Sequence, residues 1–410
     1  MSANKIFQAD TTQTWPLPDE SIDAIITSPP YWHHRDNGPT TTTLFDYDPQ
    51  CQHVWKKVKS SKEGCFCEKC GGWKGQLGQE PDAADYVRHL VQIFDKEARR
   101  VLKSTGQLWI NLGDCFGKKG RRGWIQTGQK LYLPARLAIG MQDKGWVLRN
   151  DVIWAKSVTF STRDSKGGSM PSSVHTRFNN THEYFLFFVK PLGDRRNYYV
   201  NEKTSVVAWD RIGKGKWETK NYFSCLDNLR IEHKWVNENG ERIDLYGRPM
   251  GSRPHAGGSP KQHAAGQPHL YMYNHPLGKN PGSVWQFNTD PFQGEHNSPF
   301  PPRLIQWIIR FSVPEKTCPK CGLPEEKFYD RTEKKVRFAR CQCNSILQPG
   351  IVLDPFMGAG TTAIAAMREN RYFSGIELNP HYVQAAEKRL LTEFPEMLEL
   401  KLEKFLINEK

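Results

Sequence analysis

From Gly350 onward the chain alternates strand and helix without interruption: an apolar run at 351–354, a helical segment at 361–368, a second strand at 372–377 and a helical segment at 381–391. Strands separated by helices of these lengths pair in parallel, with the helices crossing over the sheet faces. Upstream, strands are expected at 5–9, 22–27, 106–112, 146–154 and 183–189, and helices at 83–102, 133–144 and 302–311. The fold class predicted is α/β, a doubly wound, mostly parallel sheet built from both chain ends. Two stretches break the alternation. Residues 33–80 read as an irregular insertion, and 191–280 is polar, rich in His and Gly, and too long to be a simple connection.

At 410 residues, with 38% hydrophobic and 25% charged residues, the chain is expected to form one large domain with insertions or two domains, not a disordered or fibrous protein. Residues 1–10 lack the apolar core of a signal peptide, and no run of about 18 apolar residues could span a bilayer. The expected location is the cytoplasm, with no membrane partner. Lys and Arg number 57 against 44 Asp and Glu, a net charge of +13, which favours a polyanionic partner through counterion release. Charge alone does not choose between DNA, RNA and a membrane surface.

Asp354 to Thr362 (Asp-Pro-Phe-Met-Gly-Ala-Gly-Thr-Thr) lies between a strand and a helix, with Gly358 and Gly360 where the backbone must turn tightly beside a ligand. Glu377 ends the next strand 17 residues after Gly360, where a carboxylate in such a fold accepts hydrogen bonds from ribose hydroxyls. The loop lacks the third glycine of a pyrophosphate cradle. A nucleoside without phosphates therefore fits better than a dinucleotide, and S-adenosylmethionine is such a molecule. Candidate cofactor residues are Asp354, Phe356, Gly358, Gly360, Thr361 and Glu377.

Thr27-Ser28-Pro29-Pro30-Tyr31-Trp32 follows a strand at its C-terminal end, where open α/β sheets carry their chemistry. An exocyclic amine is a weak nucleophile because its lone pair is delocalised into the ring. The Ser28 hydroxyl and the Pro29 carbonyl can accept the amine protons and draw the nitrogen toward tetrahedral geometry, in a backbone held rigid by Pro29 and Pro30. Tyr31 is expected to stack on a base rotated out of the helix, and Trp32 to wall the pocket. His33 and His34 receive no role.

Eight of the ten Cys fall into two clusters. Cys318-Pro-Lys-Cys321-Gly and Cys341-Gln-Cys343 have the spacing of a tetrahedral zinc site, and Cys51-Gln-His53 with Cys67-Glu-Lys-Cys70-Gly forms a second, in which Cys65 is an alternative ligand. Both are expected to be structural Zn2+ sites, since neither leaves an open coordination position. Cys115 and Cys225 read as ordinary thiols. Such sites would fold insertions that cannot bury a core alone and would present basic residues to nucleic acid: Lys56, Lys57, Lys59 and Lys62, Arg331 to Arg340, and, in the glycine-rich loop, Lys118 to Arg122.

Together the two motifs resemble the amino-group DNA methyltransferases of the β arrangement, in which the catalytic motif precedes the cofactor motif. The resemblance covers most of the chain. It implies the S-adenosylmethionine-dependent methyltransferase fold, with Ser28 to Tyr31 holding the target amine and Phe356 to Gly360 the cofactor. It also implies a cofactor role for Asp10 and for 283–302, and places target recognition in 191–280, between a catalytic half at 1–190 (zinc insertion at about 48–80) and a cofactor half at 281–410 (zinc insertion at about 315–348). Serine at the head of the tetrapeptide is associated in that family more often with cytosine N4 than with adenine N6. The implied activity is therefore a sequence-specific DNA methyltransferase acting on cytosine N4 by base flipping and direct transfer, with adenine N6 as the alternative. The implied partner is double-stranded DNA, in a prokaryotic or phage-infected cell's nucleoid, with a homodimer and a cognate restriction endonuclease as further family partners. Two rival classes are a zinc-dependent nucleic-acid-binding protein with an inactive methyltransferase core, and an RNA or protein methyltransferase, which would need no separate recognition region.

Overall fold

The computed structural model describes residues 3–395 except 35, 37, 58–63, 118–124, 162–163, 169–173, 214, 232–279, 289–299 and 331. The chain divides into two compact units, residues 1–225 with 283–410, and residues 226–282. In the second unit only 226–231 and 280–282 are described, and Leu226–Leu229 forms a 3-10 turn. Most of the expected recognition region, the basic loop Lys118 to Arg122, Lys59, Lys62, Arg331 and much of 283–302 lie outside the described residues.

The first unit is organised by an eight-stranded sheet. Its strands are β1 (Lys5–Gln8), β2 (Ile22–Thr27), β3 (Leu102–Leu112), β4 (Val147–Ala155), β5 (His182–Val189), β6 (Val284–Gln286), β7 (Ile351–Asp354) and β8 (Tyr372–Glu377). The spatial order is β1-β8-β7-β2-β3-β5-β4-β6. Only β5 runs against its neighbours; every other pairing is parallel. Strands from the two chain ends thus interleave, and neither half has a complete sheet alone.

Alternation along each strand sorts side chains to two faces. Ile25, Leu108, Ile110, Leu186, Phe188 and Leu353 point to one core, which α1 (Ala83–Ile93) and α2 (Leu133–Asp143) cover. Ala24, Ile26, Trp109, Phe185, Phe187 and Val352 point to the other, under α3 (Pro302–Ser312), α4 (Thr361–Arg368) and α5 (Pro380–Glu393). This is the doubly wound arrangement expected. Every residue of β2 and β7 is buried, which explains why these strands read as continuous apolar runs. The helix expected over 83–102 is α1 prolonged by a π turn, Phe94–Ala98, and one α turn, Arg99–Val101, after which β3 begins at once. Strand β6, which the sequence reading lacks, closes the far edge.

Both interruptions carry more order than their sequences suggest. Thr42–Phe45, Trp73–Gln76, Cys65–Cys67 and Trp55–Lys57 form a four-stranded antiparallel sheet inside the stretch read as irregular. Tyr198–Asn201 pairs with Val206–Ala208 and Glu218–Lys220, and the hairpin Glu326–Asp330/Lys335–Ala339 shares a core with it through Tyr198, Val200, Val207, Leu323, Phe328 and Ala339. Strands of three to five residues pinned by Cys and Gly are too short to show a period, so the pattern missed them.

Candidate active site and metal knuckles

Parallel pairing places the C-terminal ends of β1, β2, β3, β7 and β8 on one edge of the sheet, and β5, running the other way, delivers its first residues to that same edge. Thr27 and Asp354, 327 residues apart, meet there. The Thr27 hydroxyl donates to Asp354 Oδ1 at 2.6 Å and Thr362 Oγ1 donates to Oδ2 at 2.6 Å. Burial pushes the Asp354 carboxyl up to about 6 against these donors. Asp354 is 2% exposed, so its carboxylate ties the two motifs together rather than lining the cleft.

The loop after Asp354 turns through Gly358 and Gly360, both left-handed at φ 51° and 79°. A Cβ on Gly360 would lie 3.0 Å from the Ala386 Cβ in α5, so glycine is required there on both counts. The Gly358 N–H donates to Glu377 Oε2 and the Asn379 N–H to Oε1, each at 2.8 Å. Burial pushes Glu377 up to about 7, and among the described residues no cation pairs with it. Each oxygen keeps a lone pair, which suits an acceptor of ligand hydroxyls. Phe356 is half-buried and meets Phe94 edge-on. Thr361 is buried and its hydroxyl accepts from Arg389 at 3.0 Å. Asp10 follows β1 beside Glu377 and accepts from the Thr12 N–H at 2.9 Å and from Thr43 Oγ1, in the four-stranded insertion, at 2.5 Å.

Pro29 is buried, while Ser28, Pro30 and Tyr31 are part-exposed at the edge. The Tyr86 hydroxyl donates to the Pro30 carbonyl at 2.8 Å. Tyr31 Oη lies 2.8 Å from Asn111 Oδ1 and 2.8 Å from Glu183 Oε2, and Lys156 is ion-paired with Glu183. Burial first, and the Glu183 charge second, raise the Tyr31 phenol well above its ordinary value, so it stays protonated. Trp32 corrects an expectation. It is 4% exposed within the core and its indole N–H donates to the Glu80 carbonyl at 2.9 Å, so it anchors the loop instead of walling a pocket. His33 is anchored likewise, with Nε2 2.9 Å from the Glu80 carbonyl.

A second latch lies under this loop. Glu80 is fully buried, accepts from the Gly78 N–H at 2.7 Å and lies 3.0 Å from His89 Nδ1, while His89 Nε2 lies 2.9 Å from Asp46. The His89 ring stacks on Phe45 at 4.0 Å. Against the upward push of burial, Arg88 and His89 hold Asp46 down to about 2, whereas burial raises Glu80. None of Asn111, Glu183, Lys156, Glu80 and His89 was singled out from sequence. The available signal was a charged residue heading an otherwise aromatic strand, Glu183 before Tyr-Phe-Leu-Phe-Phe-Val.

The two Cys clusters assemble as expected. Within each of the quartets Cys51, His53, Cys67, Cys70 and Cys318, Cys321, Cys341, Cys343, the donor atoms lie within 4.8 Å of one another. Cys65 is outside the first quartet. A tetrahedral Zn2+ with bonds of about 2.3 Å to sulfur and 2.05 Å to nitrogen needs edges of about 3.8 Å between sulfurs and 3.5 Å between sulfur and nitrogen. Cys51 Sγ to Cys67 Sγ is 3.8 Å and Cys70 Sγ to His53 Nδ1 is 3.5 Å. Both knuckles turn through a left-handed glycine, Gly71 and Gly322, whose N–H donates to Cys67 O and Cys318 O. In the first quartet Cys67 is drawn down to about 5 despite desolvation, chiefly by the Cys70 amide and His53, while burial and the neighbouring thiols push Cys51 up to about 11. In the second Cys318 is drawn down to about 6, chiefly by the Cys321 amide and the Ser345 hydroxyl, while burial raises Cys321 and Cys341. Four soft donors at tetrahedral spacing fit a divalent metal such as Zn2+. Among the described basic residues around the knuckles, Lys56 pairs with Glu68, Lys335 with Glu333, Arg337 with Asp330 and Arg340 with Glu325.

Strand order, the glycine turn and the acidic residue ending the next strand define a doubly wound α/β protein of the methyltransferase type. The chain belongs to the DNA methylase family, the N6 and N4 amino-methyltransferases, whose family model matches residues 22–388. It is accordingly an enzyme, a DNA amino-methyltransferase. It is 25% identical to the Type II methyltransferase M.XycI of Xanthomonas campestris pv. cyanopsidis over 95% of this chain and 88% of that protein. It is also 25% identical to the Type II methyltransferase M.Cfr9I of Citrobacter freundii, over 92% of this chain and 84% of that protein. Among solved structures it is similar to the PvuII DNA methyltransferase (cytosine-N4-specific), at 15% identity, with 95% of this chain and 87% of that one covered and a TM-score of 0.48. No helix among the described residues is long and apolar enough to cross a membrane.

Proposed function

We propose that the protein is a sequence-specific modification enzyme that methylates the exocyclic N4 amine of cytosine in duplex DNA. The observation that supports this reading is the Thr27 to Asp354 hydrogen bond, which ties the end of the strand before Ser28 to the end of the strand before the glycine loop. S-adenosylmethionine supplies the electrophilic methyl group when bound. Glu377 and Asp10 would hold its ribose and polar groups, and Phe356 and the bare backbone at Gly358 and Gly360 would border it. Ser28 Oγ and the Pro29 carbonyl accept the amine protons and turn the nitrogen lone pair toward the methyl, while Tyr31 stacks on the flipped base. Serine at position 28, rather than aspartate, favours cytosine. The two cysteine quartets hold structural Zn2+, the region 191–280 reads the target sequence, and a cognate restriction endonuclease recognises the same site.

Labelled S-adenosylmethionine incubated with mixed-sequence duplex DNA, followed by digestion to nucleosides and mass detection, tests the reading. Labelled N4-methylcytosine is expected. Labelled N6-methyladenine would overturn the base assignment and leave the chemistry, and no labelled nucleoside would overturn both.

A further inference from the structure

Position 31 carries a tyrosine where a phenylalanine would offer the same π face, and the hydroxyl is the part the structure holds. Its proton faces two acceptors from neighbouring strands, Asn111 Oδ1 of β3 and Glu183 Oε2 of β5, each at 2.8 Å. Both acceptors are themselves fixed. Asn111 is 1% exposed and its Nδ2 donates to the Tyr184 carbonyl at 3.2 Å, which leaves Oδ1 toward Tyr31. Glu183 is ion-paired through its other oxygen with Lys156, just past the end of β4. The ring below the hydroxyl is confined as well. A Cβ on Gly113, the residue after β3, would lie 2.8 Å from Tyr31 Cε2, 3.3 Å from Cδ2 and 3.4 Å from Glu183 Cγ, so the bare backbone there is what leaves the ring its place. The Tyr31 carbonyl in turn accepts from the His34 N–H at 3.2 Å.

We infer that Asn111, Glu183 and Gly113 form a socket that fixes the Tyr31 ring before DNA binds, so that a base leaving the duplex meets a stacking surface already in place. This rests on the stacking role proposed above for Tyr31. A part-exposed aromatic side chain attached only at its Cβ turns about two torsions and must be ordered when the base arrives. One held at its far end by two strands of the main sheet has met that cost on folding. Asn111, Glu183 and Gly113 act through Tyr31 and are positioning residues.

The socket needs a hydrogen-bond partner at position 183, and the charge there is secondary. In Glu183→Gln the amide oxygen turns to Lys156 and the NH2 donates to the phenol oxygen, while the phenol donates to Asn111, so the ring stays held. Glu183→Ala removes the partner. Methyl transfer to mixed-sequence duplex DNA at saturating S-adenosylmethionine should fall about tenfold in kcat in Glu183→Ala and in Tyr31→Phe, and Glu183→Gln should recover to within about threefold of wild type. Gly113→Ala, whose methyl displaces the ring, should lose about ten- to a hundredfold. The Kd for S-adenosylmethionine should not move in any of them. Glu183→Ala placed in Tyr31→Phe should add nothing, because both changes remove the same hold. Mixed-sequence duplex carrying 5-iododeoxycytidine, irradiated on the enzyme, should crosslink to position 31, with a lower yield in Glu183→Ala and Tyr31→Phe and recovery in Glu183→Gln. Glu183→Gln as impaired as Glu183→Ala, losses that multiply, wild-type kcat in Glu183→Ala or Tyr31→Phe, or a crosslink yield indifferent to these changes would each overturn the socket. A wild-type enzyme that labels no nucleoside overturns the reading on which the socket rests, a separate failure.

Discussion

Glu377 is the residue whose environment makes the sharpest demand on solution behaviour. Its carboxyl is pushed up to about 7 by burial, and it accepts two backbone amides with no cation paired to it among the described residues. A ligand whose hydroxyls donate to it stabilises the ionised form, so binding becomes linked to loss of its proton below that pH. Affinity for S-adenosylmethionine is therefore expected to rise with pH through about 7, by up to about tenfold per unit on the acid side, and to level off above it. In Glu377→Gln the step should vanish and the affinity at pH 8 should drop; calorimetric titrations from pH 6 to 8 on both proteins decide it, and an unchanged step in the variant would remove Glu377 from the binding site. This residue was readable from sequence because its position depends only on spacing within one strand-helix-strand unit. Glu183 was not, because its proximity to Tyr31 follows from β5 running antiparallel, a property of the sheet that no local window contains. Trp32 was misread for a related reason: an aromatic beside a catalytic motif looks the same in sequence whether it faces a pocket or the core.

At the scale of elements, each small sheet carries or adjoins one cysteine quartet. The four-stranded insertion and the hairpin Glu326–Asp330/Lys335–Ala339 have strands of three to five residues, and if their quartets hold the structural Zn2+ proposed above, metal binding and folding should be one process there. Two equivalents of Zn2+ per chain are expected by elemental analysis, falling to one in Cys318→Ser. Chelation should abolish amide protection in 42–76 and 316–343 before the main sheet opens; protection that survives chelation would refute a structural metal at either site. The first insertion is also bound to the loop after β1 through Thr43 on Asp10, to α1 through the Asp46, His89 and Glu80 latch, and to Trp32 and His33 through the Glu80 carbonyl. His89→Ala leaves the fully buried Glu80 carboxyl with only the Gly78 N–H and should cost about 3 kcal/mol in denaturant unfolding. A cost below about 1 kcal/mol would show that the latch contributes little. The Cys and Gly spacing announced the knuckles, and the βαβ alternation announced the cofactor half. The insertion strands stayed hidden because runs of three to five residues are too short to show a periodic apolar face.

At the scale of the whole molecule, the interleaved order of strands makes the two chain ends one folding unit. Strand β7 lies between β2 and β8, and β8 between β7 and β1, so neither terminal portion can complete its sheet without the other. The Asp354 carboxylate stands at this junction and takes a proton donor from each side, Thr27 and Thr362. Its carboxyl titrates near 6, raised by burial, so its charge costs stability as pH climbs from its unfolded range through about 6, and the two hydroxyls offset part of that cost. Thr27→Val removes one donor. At pH 8, where Asp354 is ionised, the loss should be about 1.5–3 kcal/mol, the range for a hydrogen bond to a charged group; at pH 5, where it is neutral, about 1 kcal/mol. Because one junction holds both ends, amide exchange should quicken together in Ile22–Thr27 and Ile351–Asp354. Exchange that quickens in only one of these strands, or a loss independent of pH, would mean that the Thr27 to Asp354 bond does not join the halves, and the catalytic and cofactor motifs would then owe their proximity to packing alone.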